Sequence, residues 1–79
     1  MKPDQKKMQQ QFGQSIKRLR DESGISRRKM CKMVCMDERL MARYEEGITC
    51  PSLYAAAKIS QFFCVELRTM FEPLEMGDA

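Results

Sequence analysis

Two arginines, Arg39 and Arg43, are the residues of this 79-residue sequence best suited to recognising another molecule. They are four positions apart, so on a helix they project from the same face. A guanidinium group presents a planar fork of N–H donors, which matches a phosphate or the O6 and N7 acceptors of guanine. Ordinary solvated arginines are the alternative interpretation.

A second basic cluster, Arg27-Arg28-Lys29, follows Ser26, which is a good N-cap for a short helix. Cations at this position oppose the helix dipole, which favours anions at the N-terminus. A bound anion at that end would offset the repulsion, because helix N-termini bind phosphates through their free N–H groups. The cluster therefore favours a phosphate-bearing partner.

The net charge of +3 is distributed unevenly along the chain. Residues 1–20 carry six cations and one anion, whereas residues 64–79 carry one cation and four anions. This asymmetry makes the amino-terminal half the candidate partner face, and a polyanion such as DNA fits it. A solvated, charged surface is the alternative.

No arrangement typical of an enzyme is found in the sequence. It has no histidine, no glycine-rich loop to hold a phosphate, and no paired carboxylates that a pocket would surround. A cysteine nucleophile would need a basic partner, and none is marked. We therefore predict that the protein is not an enzyme and needs no cofactor.

Four cysteines, at positions 31, 35, 50 and 64, raise the alternatives of a disulfide frame and a zinc site. A disulfide frame needs an oxidising compartment, and a zinc site without histidine would need all four thiolates to converge. Because Cys31 and Cys35 lack the tight spacing of zinc ribbons, we expect reduced, partly buried thiols and no metal.

The elements that must position these groups are five predicted helices in an all-α fold. Asp4 is expected to cap the first helix, which ends at Ser23-Gly24; Ser26 caps the second and Asp37 the third, which stops at Gly47. Pro51-Ser52 opens the fourth helix, and a short fifth runs from about 66 to 71. The predicted inward residues are Met8, Phe12, Ile16 and Leu19, then Met30, Met33 and Val34, then Met41 and Tyr44, then Leu53, Ala56, Ile59 and Phe63.

Residues 1–10 are predicted to form a basic N-terminal extension of the first helix, 11–72 the domain, and 73–79 a disordered tail. No apolar run approaches the roughly 20 residues of a membrane span. The polar stretch at positions 1–7 has no signal-peptide core after it. We therefore expect a cytoplasmic protein.

The second and third helices, with a corner of three or four residues between them, have the spacing of a helix-turn-helix. Beyond this spacing, residues 12–71 resemble the phage-repressor-like (Xre/Cro) helix-turn-helix domains. The resemblance is carried by FGQSIKRLR at 12–20, SGIS at 23–26, RYEEG at 43–47, PSL at 51–53, KI at 58–59 and VELRTMF at 65–71. Each motif is weak alone, but their order and spacing together are specific.

The resemblance implies a compact five-helix, lambda-repressor-like domain whose third helix, about 37–46, lies in the DNA major groove. Residues 47–52 would approach the other side of the groove. Glu38 would accept from cytosine N4 or instead hold a neighbouring arginine, and Leu40 would touch a thymine methyl or form the edge of the core. The predicted DNA-binding residues are Arg27, at the family's phosphate-contacting position, with Arg28, Asp37, Glu38, Arg39, Leu40, Arg43 and Thr49.

Further expectations concern the support of that helix. Arg20 and Glu45 match a family pairing, which implies an ion pair that locks the third helix against the first. Family members usually have glycine where Cys35 and Cys64 stand, so those turns are either different here or strained. Alanine is usual at the position of Cys31, and the loop 48–50 lacks basic residues, which implies modest affinity per subunit.

The function that the resemblance implies is sequence-specific binding of double-stranded DNA by a transcriptional regulator, a repressor that acts as a homodimer on a near-palindromic operator, at the nucleoid. Phe62, Phe71 and Leu74 are candidate dimer contacts, with the monomer core as the alternative for each. A second hypothesis is an antitoxin-like or accessory protein-interaction module that binds DNA weakly.

Overall fold

The computed structural model describes residues 3–72, which form four α-helices and one 3-10 helix and include no β-strand. In chain order these are α1 (Pro3–Ser23), α2 (Arg27–Val34), α3 (Glu38–Glu45), α4 (Leu53–Phe62) and the 3-10 helix (Leu67–Phe71). The all-α fold is confirmed, and the predicted fifth helix is a 3-10 helix. The predicted tail at 73–79, with Leu74, lies outside the described residues. Of the helices in the described range, none has the length and apolarity needed to cross a membrane.

Side-chain caps begin three of the helices. The N–H of Lys29 donates to Ser26 Oγ at 3.1 Å, that of Leu40 to Asp37 Oδ2 at 3.0 Å, and that of Ala55 to Ser52 Oγ at 3.0 Å. Each bond satisfies one of the N–H groups that a helix leaves unpaired at its start. The predicted caps Ser26 and Asp37 are confirmed. Asp4 lies inside the first turn of α1, because that helix already begins at Pro3.

Left-handed residues end several elements. Gly24 and Gly47 have φ of 66° and 74°, and Cys35 and Cys64 adopt 57° and 59° without being glycine. The two cysteine turns therefore keep the glycine geometry and carry the strain, about 1–2 kcal/mol for a left-handed L-residue. At the end of α2 the N–H of Met36 donates to Cys31 O at 3.0 Å, which satisfies a carbonyl that the helix would leave free.

The core joins α1, α3 and the 3-10 helix through aromatic contacts. The ring of Phe12 stacks on Phe71 with centroids 5.3 Å apart and meets Tyr44 edge-on at 6.3 Å. Ser15 Oγ, fully buried, donates to Met70 O at 2.8 Å and so fixes the 3-10 helix to α1. The buried apolar side chains are Phe12, Ile16, Met30, Cys31, Val34, Met41, Tyr44, Ala55, Ala56, Ile59 and Met70.

Three residues expected inside are exposed. Met8 is 49% exposed, Met33 59% and Leu53 76%. On the same three helices, the neighbouring residues Gln9, Cys31 and Ala55 are buried. The buried face of each helix is therefore rotated away from the residue that was expected inside. Leu19, Leu40 and Phe63 are half-buried and pack against the edge of the core.

Candidate nucleic-acid interface

A buried ion pair joins α1 to the end of α3. Arg20 Nε lies 2.8 Å from Glu45 Oε2, and Arg20 Nη2 lies 3.1 Å from Glu45 Oε1, so the contact is bidentate. The side chain of Glu45 is 2% exposed and that of Arg20 16%. A third donor, Arg20 Nη1, reaches Ile25 O at 3.2 Å, which adds the turn before α2 to the contact. The pair therefore fixes three segments relative to one another.

Electrostatics within this pair favour the charged arginine. The hydrogen bond and the charge of Glu45 raise the pKa of Arg20 above its ordinary value, and they outweigh burial, which lowers it. Arg20 is consequently charged at every pH at which the domain would be studied.

Close approach of the two backbones brings α1 and α3 together at the same place. A Cβ on Gly13 would lie 2.6 Å from Glu45 O and closer still to Tyr44 O, so only glycine fits there. Nearby, the buried side chain of Gln9 donates through Nε2 to Gly47 O at 3.3 Å. α3 is thus held along its C-terminal end by α1.

Arg27, the predicted phosphate contact, also lies against Glu45. Its Nη1 is 3.4 Å from Glu45 Oε1, its side chain is 37% exposed, and its Nε is buried with no partner among the described residues. Two arginines therefore share one buried carboxylate. No sequence signal predicts this contact, because no spacing rule connects residues on different helices. Arg28, the next residue, is exposed at the N-terminus of α2.

The outer face of α3 carries the predicted reading residues. Glu38, Arg39 and Arg43 are exposed, whereas Met41 and Tyr44 on the opposite face are buried. Within residues 3–72, no ion pair involves any of the three exposed residues. The two arginines are therefore presented outward on a helix whose other side is fixed in the core.

The remaining predicted site residues have structural contacts. The carboxylate of Asp37 caps α3, and Leu40 is half-buried against the core edge. Thr49 lies in the loop between α3 and α4, where its Oγ1 accepts from Arg43 Nε at 3.1 Å. Thr49 is thus joined to the exposed face of α3 through Arg43, and Arg28 is exposed at the start of α2.

The cysteines take no part in this surface as a group. Cys31 is buried, and the other three are exposed; all four are free thiols. Burial raises the pKa of the Cys31 thiol, and the charges of Glu38 and Glu45 add to the effect. Among residues 3–72, no cluster of three or more cysteine, aspartate or glutamate side chains is placed to hold a metal ion.

The chain is similar to a known protein family. A model of the helix-turn-helix family, in its phage-repressor-like form, matches residues 16–69, which is more than half of the chain. The matched segment includes all of α2, α3 and α4 together with the Arg20–Glu45 pair. No curated protein is similar enough to match.

Proposed function

The chain belongs to the phage-repressor-like helix-turn-helix family of DNA-binding transcription regulators, and from this premise we propose that it is a sequence-specific repressor that reads double-stranded DNA with α3. The observation that carries the proposal is the outward position of Arg39 and Arg43 on one face of α3, whose opposite face is buried. An α-helix fits the major groove of B-DNA, where arginine recognises guanine through O6 and N7.

Contacts with α1 hold α3 in place when it binds DNA. Glu45 binds Arg20 in a buried, bidentate contact, and Gly13 lets the backbones of α1 and α3 touch. A rigid reading helix loses little conformational freedom on binding, so more of the contact energy appears as affinity. We propose that this is the role of the ion pair.

Phosphate contacts would set the register of α3 in the groove. The exposed Arg28 and the free N–H groups at the start of α2 are the groups that we propose for one strand. Arg27, which already contacts Glu45, would offer its remaining N–H donors to the same phosphate. Such contacts carry no sequence information but make binding strongly dependent on salt.

Repression is the mode of regulation that needs least from the domain. A protein that occupies a promoter blocks transcription through binding alone, whereas an activator also needs a surface for the transcription machinery. The proposed DNA contacts suffice for the first. Such a regulator acts where the DNA is, so we expect it in the cytoplasm, at the nucleoid.

We propose that two copies bind a near-palindromic site, because one short helix reads only a few base pairs. An apolar groove of about 500 Å³ lies between the start of α1, the start of α4 and the 3-10 helix. Met8, Leu53 and Phe71 line it, and the neighbouring Tyr54 is 73% exposed. Exposed apolar patches of this kind mark association surfaces. We place the contact between copies here, with Phe71 in it; the ring of Phe62 instead meets that of Phe63 edge-on.

A protein-interaction module is the second candidate, since the same apolar groove would also serve another partner protein. The loop at 48–50, which has no basic residue, favours it. The two candidates differ in whether α3 selects a DNA sequence. The family comprises DNA-binding regulatory domains and not enzymes, so neither candidate includes catalysis.

The test is selection of bound sequences from random duplex DNA at two salt concentrations. The wild-type chain is expected to enrich an inverted repeat, and the double variant Arg39→Ala/Arg43→Ala to enrich none while remaining helical by circular dichroism. A matched control is Arg18→Ala/Arg68→Ala, which removes the same charge from other surfaces. Failure of the wild type to enrich any sequence, or enrichment of the same repeat by the α3 variant, would overturn the proposal.

A further inference from the structure

One of the two reading arginines is held in place before any DNA is present. Arg43, in the last turn of α3, donates from Nε to Thr49 Oγ1 at 3.1 Å. The two residues are six positions apart, which is beyond the reach of neighbours on a single helix. The bond therefore exists only because the chain reverses after α3.

The loop that carries Thr49 is itself anchored at several points. Gly47 makes the reversal in a left-handed conformation, and its carbonyl accepts from Gln9 of α1 at 3.3 Å. The N–H of Ile48 donates to Arg43 O at 3.0 Å, and Thr49 is half-buried. The loop that carries the Thr49 hydroxyl is thus held to α1 by the Gln9 side chain and to α3 by a backbone hydrogen bond.

The contact uses only one of the donors of Arg43. A guanidinium group has five N–H bonds, and the single one on Nε is directed at Thr49, which leaves the four on the two terminal nitrogens. Bidentate recognition of guanine needs two of these held parallel and in one plane. An arginine without such support loses its rotamer freedom when it binds.

We infer that Thr49 is a positioning residue for specificity: it orients the guanidinium of Arg43 so that its terminal nitrogens read a guanine in the major groove. This inference rests on the proposed function, since it concerns how α3 reads DNA. Arg39 supplies an internal comparison, because within residues 3–72 its side chain makes no hydrogen bond, although it is exposed on the same helix. Thr49 therefore determines discrimination at the base pair read by Arg43 and not at the one read by Arg39.

The experiment begins with the preferred site of the wild-type chain. The base pairs at which Arg43→Ala and Arg39→Ala lose discrimination are identified first. Competition binding then measures, for each variant, the preference for the correct base pair over the other three at both positions. The variants are Thr49→Val, which keeps the shape without the hydroxyl, Thr49→Ser, which keeps the hydroxyl, and Thr69→Val, the same change made in the 3-10 helix as a matched control.

We expect Thr49→Val to reduce the preference at the Arg43 base pair by about two- to ten-fold, the range for ordering one long side chain at an interface. Discrimination at the Arg39 base pair is unchanged, Thr49→Ser restores most of the preference, and Thr69→Val behaves as wild type. In an Arg43→Ala background Thr49→Val has no further effect, because the two substitutions remove one interaction. If Thr49→Val lowers the helical content, Thr49→Ala replaces it in the measurement, because alanine also removes the hydroxyl and has a smaller side chain.

Four outcomes would overturn the inference. Equal weakening on every DNA sequence would mean that the hydroxyl binds a phosphate, and an additive loss in the Arg43→Ala background would mean that Thr49 acts independently. A wild-type chain that selects a sequence, with an unchanged preference in Thr49→Val, would overturn this inference alone. A wild-type chain that selects no sequence would overturn the proposed function, and the role of Thr49 with it.

Discussion

Arg27 lies 3.4 Å from Glu45, a residue 18 positions further along the chain and on a different helix. The family resemblance assigns Arg27 to a DNA phosphate, yet in the free domain its guanidinium rests on the carboxylate that also binds Arg20. Glu45 of α3 therefore interacts electrostatically with an arginine of α1 and with an arginine of α2. The same buried carboxylate holds the reading helix in place and contacts the arginine that is proposed to bind a DNA phosphate.

Replacement of Glu45 by glutamine is expected to destabilise the domain strongly. The substitution keeps the shape but leaves Arg20 and Arg27 without a counter-charge in a site where Glu45 is 2% exposed. Removing one partner of a buried pair lowers the free energy of unfolding by about 3–5 kcal/mol. Urea unfolding followed by circular dichroism measures the change.

The matched control is Glu66→Gln, which breaks a pair with Arg68 in which both side chains are more than two-thirds exposed. We expect less than about 1 kcal/mol there. Equal effects of the two substitutions would show that the Glu45 site contributes no more than a surface pair.

Glycine at position 35 or 64 is expected to stabilise the domain. Both cysteines are left-handed, with φ of 57° and 59°, and glycine removes a strain of about 1–2 kcal/mol while increasing the entropy of the unfolded chain. We expect the free energy of unfolding to rise by about 0.5–1 kcal/mol for each of Cys35→Gly and Cys64→Gly. Thermal and urea unfolding measure it.

Cys50→Gly serves as the control, because Cys50 is also exposed but has no positive φ. We expect Cys50→Gly to lower the free energy of unfolding slightly, because glycine increases the conformational entropy of the unfolded chain and relieves no strain here. A gain at Cys50 similar to that at Cys35 would contradict the explanation by backbone strain.

The buried thiol of Cys31 makes stability fall in alkaline solution. Burial, with the charges of Glu38 and Glu45, raises the pKa of Cys31, so the folded chain keeps a proton that the unfolded chain releases near pH 9. The stabilisation that the protonated Cys31 thiol contributes is complete below that pH and is lost as the pH rises through the pKa of the folded state. Urea unfolding between pH 7 and 10 should show decreasing stability above about pH 9.

Cys31→Ala should reduce this decrease without abolishing it, because burial also raises the pKa of Tyr44, whose own contribution is lost at higher pH. In the same chain, Cys35, Cys50 and Cys64 should react with iodoacetamide before Cys31 does. An identical pH profile with alanine at position 31, or four thiols of equal reactivity, would refute the assignment.

The proposed contact between copies predicts that Leu53→Gln weakens self-association. Leu53 is 76% exposed beside the apolar groove, so the substitution should leave the monomer stable while removing apolar area from the contact. Sedimentation should show a shift towards monomer, and binding to an inverted repeat should lose cooperativity. Met33→Gln, at a side chain 59% exposed on α2, is the control. Equal behaviour of the two variants would place the contact elsewhere.

Much of the fold was predictable because its signals are local. Ser26 and Asp37 are caps whose side chains reach an N–H three residues away, and Gly24 and Gly47 mark reversals that glycine permits. Burial was less predictable in the shorter helices. Met33 and Leu53 have the spacing of an apolar stripe, but in helices of eight and ten residues Cys31 and Ala55 face the core instead.

The candidate site shows the same division between local and tertiary information. The shared face of Arg39 and Arg43 follows from their spacing, and the Arg20–Glu45 pairing was expected only through the family resemblance. Neither the contact of Arg27 with Glu45 nor that of Thr49 with Arg43 has a spacing rule behind it. Both depend on how the helices and the loop after α3 approach one another, which is a property of the assembled core.

Methylation interference on the selected site tests most directly whether α3 occupies the major groove. Dimethyl sulfate modifies guanine at N7, on the major-groove edge, and adenine at N3, on the minor-groove edge. We predict that N7 methylation of one or two guanines in each half-site prevents binding of the wild-type chain, and that adenine methylation there has no such effect. Interference confined to adenine N3, or bound DNA in which no guanine modification matters, would contradict the placement of α3 in the major groove.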